Sequence, residues 1–486
     1  MLTISLILLP ILAGLITLTT KGENAKTIAS VFAFAEMVLG AYTYYSFVPN
    51  ASVQFATSYD WIHSLGIKFS VGIDGISLIL VCLTTLMIPF IILSTFRNDY
   101  KNAPTFYALI LFMQAALIGV FTARDIFLFY FFFEVALIPV YFIAAIWGGN
   151  DRIKVTFKFF VYTIFGSLFM LLALVYLYLQ TPGIAHQADF TSIYAAAKAL
   201  DITQQTYLFG AFFIAFAIKM PLFPFHTWQP DTYVEAPTAG TMLLAGIMLK
   251  MGTYGLIRFI LPIVPLAVDK YGMIAIVLSV IGIVYGSIIA IQQKDMKRLI
   301  AYSSFAHVGL MSAGIFSRNI DGIQGALIQM LAHGINVIGL FFIVEIIQQR
   351  TKSRELARLG GITQTTPNLT VHFIILMLGS VALPLTNGFV GEFLLLKGVY
   401  QYNAWMGAIA GLTIILGAVY MLRLVQKSMF GITSRITEGF TDLYFSEKIV
   451  LFSLSFMVIW LGIAPNMFLK LTEPAVSQLL AGIGLK

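Results

Sequence analysis

Apolar runs of about twenty residues, separated by short polar connections, follow one another from one end of the chain to the other. A run of that length crosses the roughly 30 Å hydrocarbon layer of a bilayer as a helix. The pattern predicts an all-α polytopic membrane protein of about fourteen transmembrane helices. The spans fall at 2–19, 28–47, 73–95, 105–122, 126–147, 156–179, 205–224, 236–260, 271–291, 299–316, 322–347, 369–397, 403–424 and 447–469. Residues 1–486 then form one membrane domain: spans 1–3 within 1–104, a first block at 105–260, a second at 271–424, and a last helix at 447–469. The longest connections, 48–72, 180–204 and 425–446, are too short to bury a core of their own. The first run, Leu2 to Leu18, has no basic residue before it and no evident small-residue cleavage site, so it reads as a retained helix.

Composition agrees with this pattern. The chain is 59% apolar and 10% charged, with a mean hydropathy of +0.90, whereas soluble domains carry about a quarter charged residues. A single cysteine, Cys82, excludes a disulfide framework and a cysteine-held iron–sulfur or zinc site. The six histidines show no metal-ligand spacing. Basic residues mark orientation. At or beside the odd-numbered connections there are 18 lysines and arginines, against 8 at the even-numbered ones and the tail. The other three, Lys219, Lys250 and Lys397, are counted inside helices rather than with a connection. The positive-inside rule places the basic connections in the cytoplasm and both termini on the periplasmic side. The net charge of +7 follows from this orientation, and nucleic-acid binding is not needed to explain it.

Two spans are broken by proline. Span 7 reads AFAIKMPLFPFHTW, with Pro221 and Pro224, and span 12 reads SVALPLTNGFVGEF, with Pro384, Asn387 and Gly388. Proline removes a donor and frees carbonyls upstream. In hydrocarbon that is tolerated only where protein or water satisfies them. The two breaks lie five spans apart, so five-helix units 4–8 and 9–13 would be inverted relative to each other. Matched broken helices point to an inverted-repeat transporter with an ion path at mid-membrane.

Ionisable residues sit in the same region. A charge at the bilayer centre costs about 2.5–3.5 kcal/mol even on the lenient insertion scale. Yet Glu134 (span 5), Lys219 (7), Lys250 (8), His307 (10), His333 (11) and Glu392 (12) all lie inside apolar runs. Burial favours the neutral form of a carboxyl or an amine, and an opposite charge nearby favours the charged form. A Glu134–Lys219 pair that closes and separates would be a two-state proton switch, and histidine relays protons near neutral pH. The competing reading makes Glu134 a structural partner of Lys219 and the two histidines satisfied core residues. His226 is a candidate for carrying protons to the cytoplasm, with capping of the broken helix as the alternative. Lys397 reads as a snorkelling residue and Glu345 as an interfacial charge. Glu36, mid-span with no obvious partner, has no role in this scheme.

The stretches FFFEVALIPVYFIAAIWG, FAIKMPLFPFHTWQPDTYVEAPTAGTMLLAGIMLKMGTYGLIR, DMKRLIAYSSFAHVGL, QMLAHGIN and GFVGEF carry these residues. Together they resemble the proton-conducting antiporter-like membrane subunits of respiratory complex I, and the resemblance covers essentially the whole chain. It implies that Glu134, Lys219, Lys250, His307, His333 and Glu392 form a proton route. Within that family, L and N branches resemble each other in having lysine at the position of Glu392, whereas the M branch has glutamate, which Glu392 resembles. The resemblance further implies neighbouring antiporter-like subunits L and N and a bacterial inner membrane. It also implies that NADH, flavin, iron–sulfur clusters and quinone are held by partner subunits and no cofactor by this chain. The alternatives are a subunit of a multi-subunit cation/proton antiporter, a hydrogenase- or formate-linked pump, and a structural membrane scaffold. The scaffold leaves the buried charges unexplained.

Overall fold

The computed structural model describes residues 1–22, 24–183 and 186–484. Among the described residues, twelve helices are long and apolar enough to cross a membrane. The two expected spans outside those twelve are the proline-broken ones. In the first, the helix Ile202–Lys219 ends two residues before Pro221, and a short helix, Gln229–Glu235, follows. In the second, Pro367–Ser380 and Asn387–Tyr402 are separate helices flanking Pro384.

The physics of each break is local. Pro221 has no N–H for the carbonyl of Ala217, which accepts instead from Leu222 N at 2.7 Å. The next freed carbonyl, Ile218 O, takes the indole N–H of Trp228 at 3.0 Å. At the other break Ala382 and Leu385 adopt positive φ, 55° and 72°. These are left-handed conformations costly for residues with a Cβ, and they persist where packing over-determines them.

The helix Ile320–Thr351 is the central post. At 32 residues it is about 48 Å long, and it is buried along almost its whole length. It packs against Met296–Phe316, Pro367–Ser380, Asn387–Tyr402 and Gly75–Ser94. Peripheral helices show the opposite pattern. Arg152–Leu179 turns Phe157, Phe165 and Leu172 outward, as a lipid-facing surface requires.

The sequence pattern missed two features of the connections. Within 48–72 lies an antiparallel hairpin, Gln54–Ile62 with Ile67–Ile73. Within 180–204 lies a short helix, Phe190–Ala197. After the last span, Asn466–Gly482 forms an additional helix, part of it seated at the start of Gly75–Ser94. The N-terminal amine reaches Thr57 Oγ1 of the hairpin at 3.2 Å and Thr3 Oγ1 donates to Phe55 O at 2.7 Å. Both ends of the chain therefore gather at the hairpin face. At the other face the basic connections meet carboxylates: Asp231 pairs with Lys158 at 3.1 Å and Arg298 at 2.6 Å, and Asp295 pairs with Arg354 at 3.0 Å.

Candidate functional site

The broken helices and the central post bring the buried ionisable residues together. Lys250 lies midway along Thr238–Ile263, a stretch with no exposed residue in its apolar window. Just before it, Leu244–Met248 is wound as a π-helical turn, in which Leu249 N reaches back five residues to Leu244 O at 3.1 Å. That looser turn leaves Ala245 O free to accept from Lys250 Nζ at 2.6 Å. Such turns are rare and frequently mark functional sites.

Lys250 Nζ also donates to His333 Nδ1 at 3.0 Å. The rings of His333 and His307 are 5.9 Å apart between centroids. His307 Nδ1 is 3.0 Å from Glu392 Oε1, an ion-pair distance at which the ring N–H is not aligned on the carboxylate. Gln329 Nε2 donates to the same oxygen at 3.4 Å. Lys250, His333, His307 and Glu392 thus form one buried row across four helices.

Between the two histidines is a cavity of about 10 Å³, the size of one water, lined by Ser304, His307, Gln329, His333 and Asn336 among others. Ser304 Oγ, Gln329 Oε1, His333 Nε2 and Asn336 Oδ1 have no protein partner. Buried polar atoms are otherwise nearly always hydrogen-bonded, so this cluster calls for water between the rings.

The other half of the expected route is arranged differently. Lys219 is the last residue of its helix and is buried. Glu134 is half-buried at the end of Ile126–Val135. The two stand apart, beyond the 4.0 Å of an ion pair, and Lys219 Nζ lies instead over the ring of Phe133 at 4.5 Å. The expected pair is therefore not closed in this structure. No hydrogen bond or ion pair joins Lys219 to Lys250. Their helices nevertheless meet closely at Gly252, where a Cβ would stand 2.8 Å from Met220 N and 2.9 Å from Phe216 O.

His226 is buried and surrounded by rings. Phe305 lies at 4.3 Å between centroids, Tyr285 at 5.4 Å and Phe223 at 5.8 Å, and its Nδ1 has no partner. Lys397 pairs with Asp321 at 2.9 Å and is about half exposed. Glu345 is half-buried and accepts from Asn98 at 2.9 Å, Gln349 at 3.0 Å and Thr238. Glu36 is buried with neither oxygen partnered among the described residues.

Two cations counted with the connections are in fact buried. Lys297 donates to Ala236 O at 2.7 Å, at a 500 Å³ cavity shared with Glu345, Glu235 and Arg354. Arg258 pairs with Asp74, which also takes Arg124 at 3.4 Å. Asp74 caps Gly75–Ser94 through Ile76 N and Ser77 N. Arg258, Arg124 and the N–H groups of Ile76 and Ser77 all favour its charged form. Only the fold reveals this cluster, because 184 residues separate Asp74 from Arg258.

The arrangement is that of a polytopic membrane protein with a buried row of ionisable groups flanked by broken helices. Residues 123–417 match the family described as NADH:quinone oxidoreductase/Mrp antiporter, TM. The chain belongs to this family. It is 44% identical over 432 residues to NADH-quinone oxidoreductase subunit M of Rickettsia typhi, covering 89% of this chain and 87% of that one. It is 38% identical over 480 residues to NADH-ubiquinone oxidoreductase chain 4 of Marchantia polymorpha, covering 98% and 96%. Among solved structures it matches a chain of respiratory complex I from Thermus thermophilus with bound NADH. There the TM-score is 0.90 at 29% identity, covering 99% of this chain and 100% of that chain.

Proposed function

We propose that the chain is the M-type antiporter-like subunit of a membrane-bound NADH:quinone oxidoreductase and that it translocates protons across the membrane. The observation that carries the mechanism is the buried row Lys250–His333–His307–Glu392, whose close contacts are 3.0 Å at each end. Each member exchanges a proton without leaving its place, and one water between the rings bridges the middle. Glu134 and Lys219 supply the controlling pair. When they close, the carboxylate holds the ammonium charged. When they part, as here, the amine is free to give up its proton toward Lys250. NADH, flavin, iron–sulfur clusters and quinone belong to partner subunits, and electron transfer there resets the charge that opens and closes the pair.

Fourteen crossings, two of them broken, support inverted units 4–8 and 9–13. The basic face then lies in the cytoplasm and the hairpin and both termini in the periplasm of a bacterial inner membrane, with subunits L and N as neighbours in the membrane plane. His226, enclosed by rings, has packing as its most direct role.

The family also includes cation/proton antiporters, so the first test separates the two. Inverted vesicles from cells with and without this chain are assayed for NADH-driven acidification and for sodium/proton exchange. Loss of the former with the latter intact is expected. Loss of sodium/proton exchange alone would overturn the proposal.

A further inference from the structure

A cavity of 830 Å³ opens on the hairpin face, lined by Asp74, Arg124, Lys198, Tyr194 and Arg258 and closed on one side by Ala475 and Leu479 of the last helix. At about 30 Å³ per molecule it has room for some two dozen waters. Its floor is Arg258, on the same helix as Lys250 and eight residues further along. The rise between them is therefore about 12 Å. Tyr254 lies between, with the guanidinium 5.2 Å above its ring and its hydroxyl donating to Phe121 O at 3.0 Å. A cavity large enough for water thus comes within about two helical turns of a buried proton carrier, from the side opposite to the basic connections.

The groups at that floor are not a relay. Guanidinium groups hold their protons throughout the physiological range and present donors only. Among the described residues, Asp74 is the sole carboxylate lining the cavity, against Arg124, Arg258 and Lys198. It is engaged by both arginines and by two backbone N–H groups. A hydronium moving from the cavity toward Lys250 therefore meets fixed positive charge and, among the described residues, a carboxylate already engaged by both arginines. Fixed arginines exclude protons and cations from other membrane pores in this way.

We propose that Arg258 and Arg124, clamped by Asp74, form an electrostatic seal that keeps protons in the outer cavity from reaching Lys250. The inference rests on the reading of Lys250 as a proton carrier. It adds a residue set that makes the pump tight rather than one that moves the proton.

The test is passive proton conductance in proteoliposomes holding the whole assembled complex. A potassium diffusion potential set with valinomycin drives proton flow, an internal pH dye reports it, and no NADH is present. R258Q is expected to raise the leak about tenfold or more, the scale on which one nearby like charge acts at intermediate dielectric. R258K, which keeps the charge, is expected to stay within about twofold of the native leak. A native leak in assembled R258Q, or an equal leak in R258K, overturns the seal. If R258Q does not assemble, R124Q decides by the same readout, because it leaves the Asp74–Arg258 pair in place, and a native leak there overturns the proposal. The leak is read without turnover, so an intact pump in Glu134→Gln would count against the proton route and leave this measurement unaffected.

Discussion

Lys219 offers the clearest separation of charge from proton transfer. Two substitutions are compared in the assembled complex. Lys219→Met removes the amine and keeps the length and apolar stem. Lys219→Arg keeps the positive charge, but a guanidinium does not deprotonate in proteins. Both should be tolerated structurally. Lys219 makes no ion pair, and its visible polar contact is the Phe133 ring at 4.5 Å, a cation–π interaction of about 0.5–2 kcal/mol. Methionine loses that interaction and also loses the cost of burying an unpaired ammonium, which is several kcal/mol. Complex abundance should therefore be close to native. Positioned acid–base groups contribute about 10²–10⁴-fold to proton transfer, so both variants should lower NADH-driven acidification by more than about tenfold. The assay is dye-reported acidification of inverted vesicles, normalised to complex on native gels, with NADH oxidation recorded alongside. Native acidification in Lys219→Arg would refute proton carriage and leave only an electrostatic role. Native acidification in Lys219→Met would refute any role.

Three further outcomes follow from packing. Gly334→Ala places a Cβ 2.9 Å from Gly246 O and from Leu83, so it should push the central post off the Lys250 helix. The cost is about 1–3 kcal/mol, read as reduced complex abundance and an earlier thermal unfolding midpoint. Glu447→Ala strips the half-buried Arg350 of its 2.7 Å carboxylate, leaving it Thr441 and the Asp442 carbonyl, and should cost about 1–3 kcal/mol, seen as reduced assembled complex on native gels. His226→Phe preserves the stack with Phe305 and Phe223, so acidification should stay above about half of native. A collapse to background would return His226 to the proton route.

What could be read in the sequence, and what could not, follows from the range of each interaction. Glu134, Lys219, Lys250, His307, His333 and Glu392 stand out because each interrupts an apolar run, a signal confined to about twenty residues. The breaks at Pro221 and Pro384 are equally local, since proline alone removes the donor. Contacts made across the fold left no such trace. The Lys250–His333 bond depends on a π-helical turn that no residue pattern announces. Arg258 and Lys297 sit near span ends and count as interfacial cations until the fold buries them. The hairpin Gln54–Ile62/Ile67–Ile73 escaped notice because most of its first strand is exposed and shows no alternation, while the alternating second strand is short and runs straight into the next apolar span. The separation of Glu134 from Lys219 is a property of one arrangement of two helices, and no spacing in the chain encodes it.

The most direct test of the central claim is NADH-driven acidification of inverted vesicles carrying Glu134→Gln, with NADH:quinone turnover measured in the same preparation. The substitution keeps size, exchanges one acceptor oxygen for an NH₂ donor and removes the ability to be charged. The account predicts that acidification and coupled turnover fall together, because without the carboxylate Lys219 is never driven through its cycle. Native values of both would contradict it, and the Glu134–Lys219 pair would then be part of the scaffold.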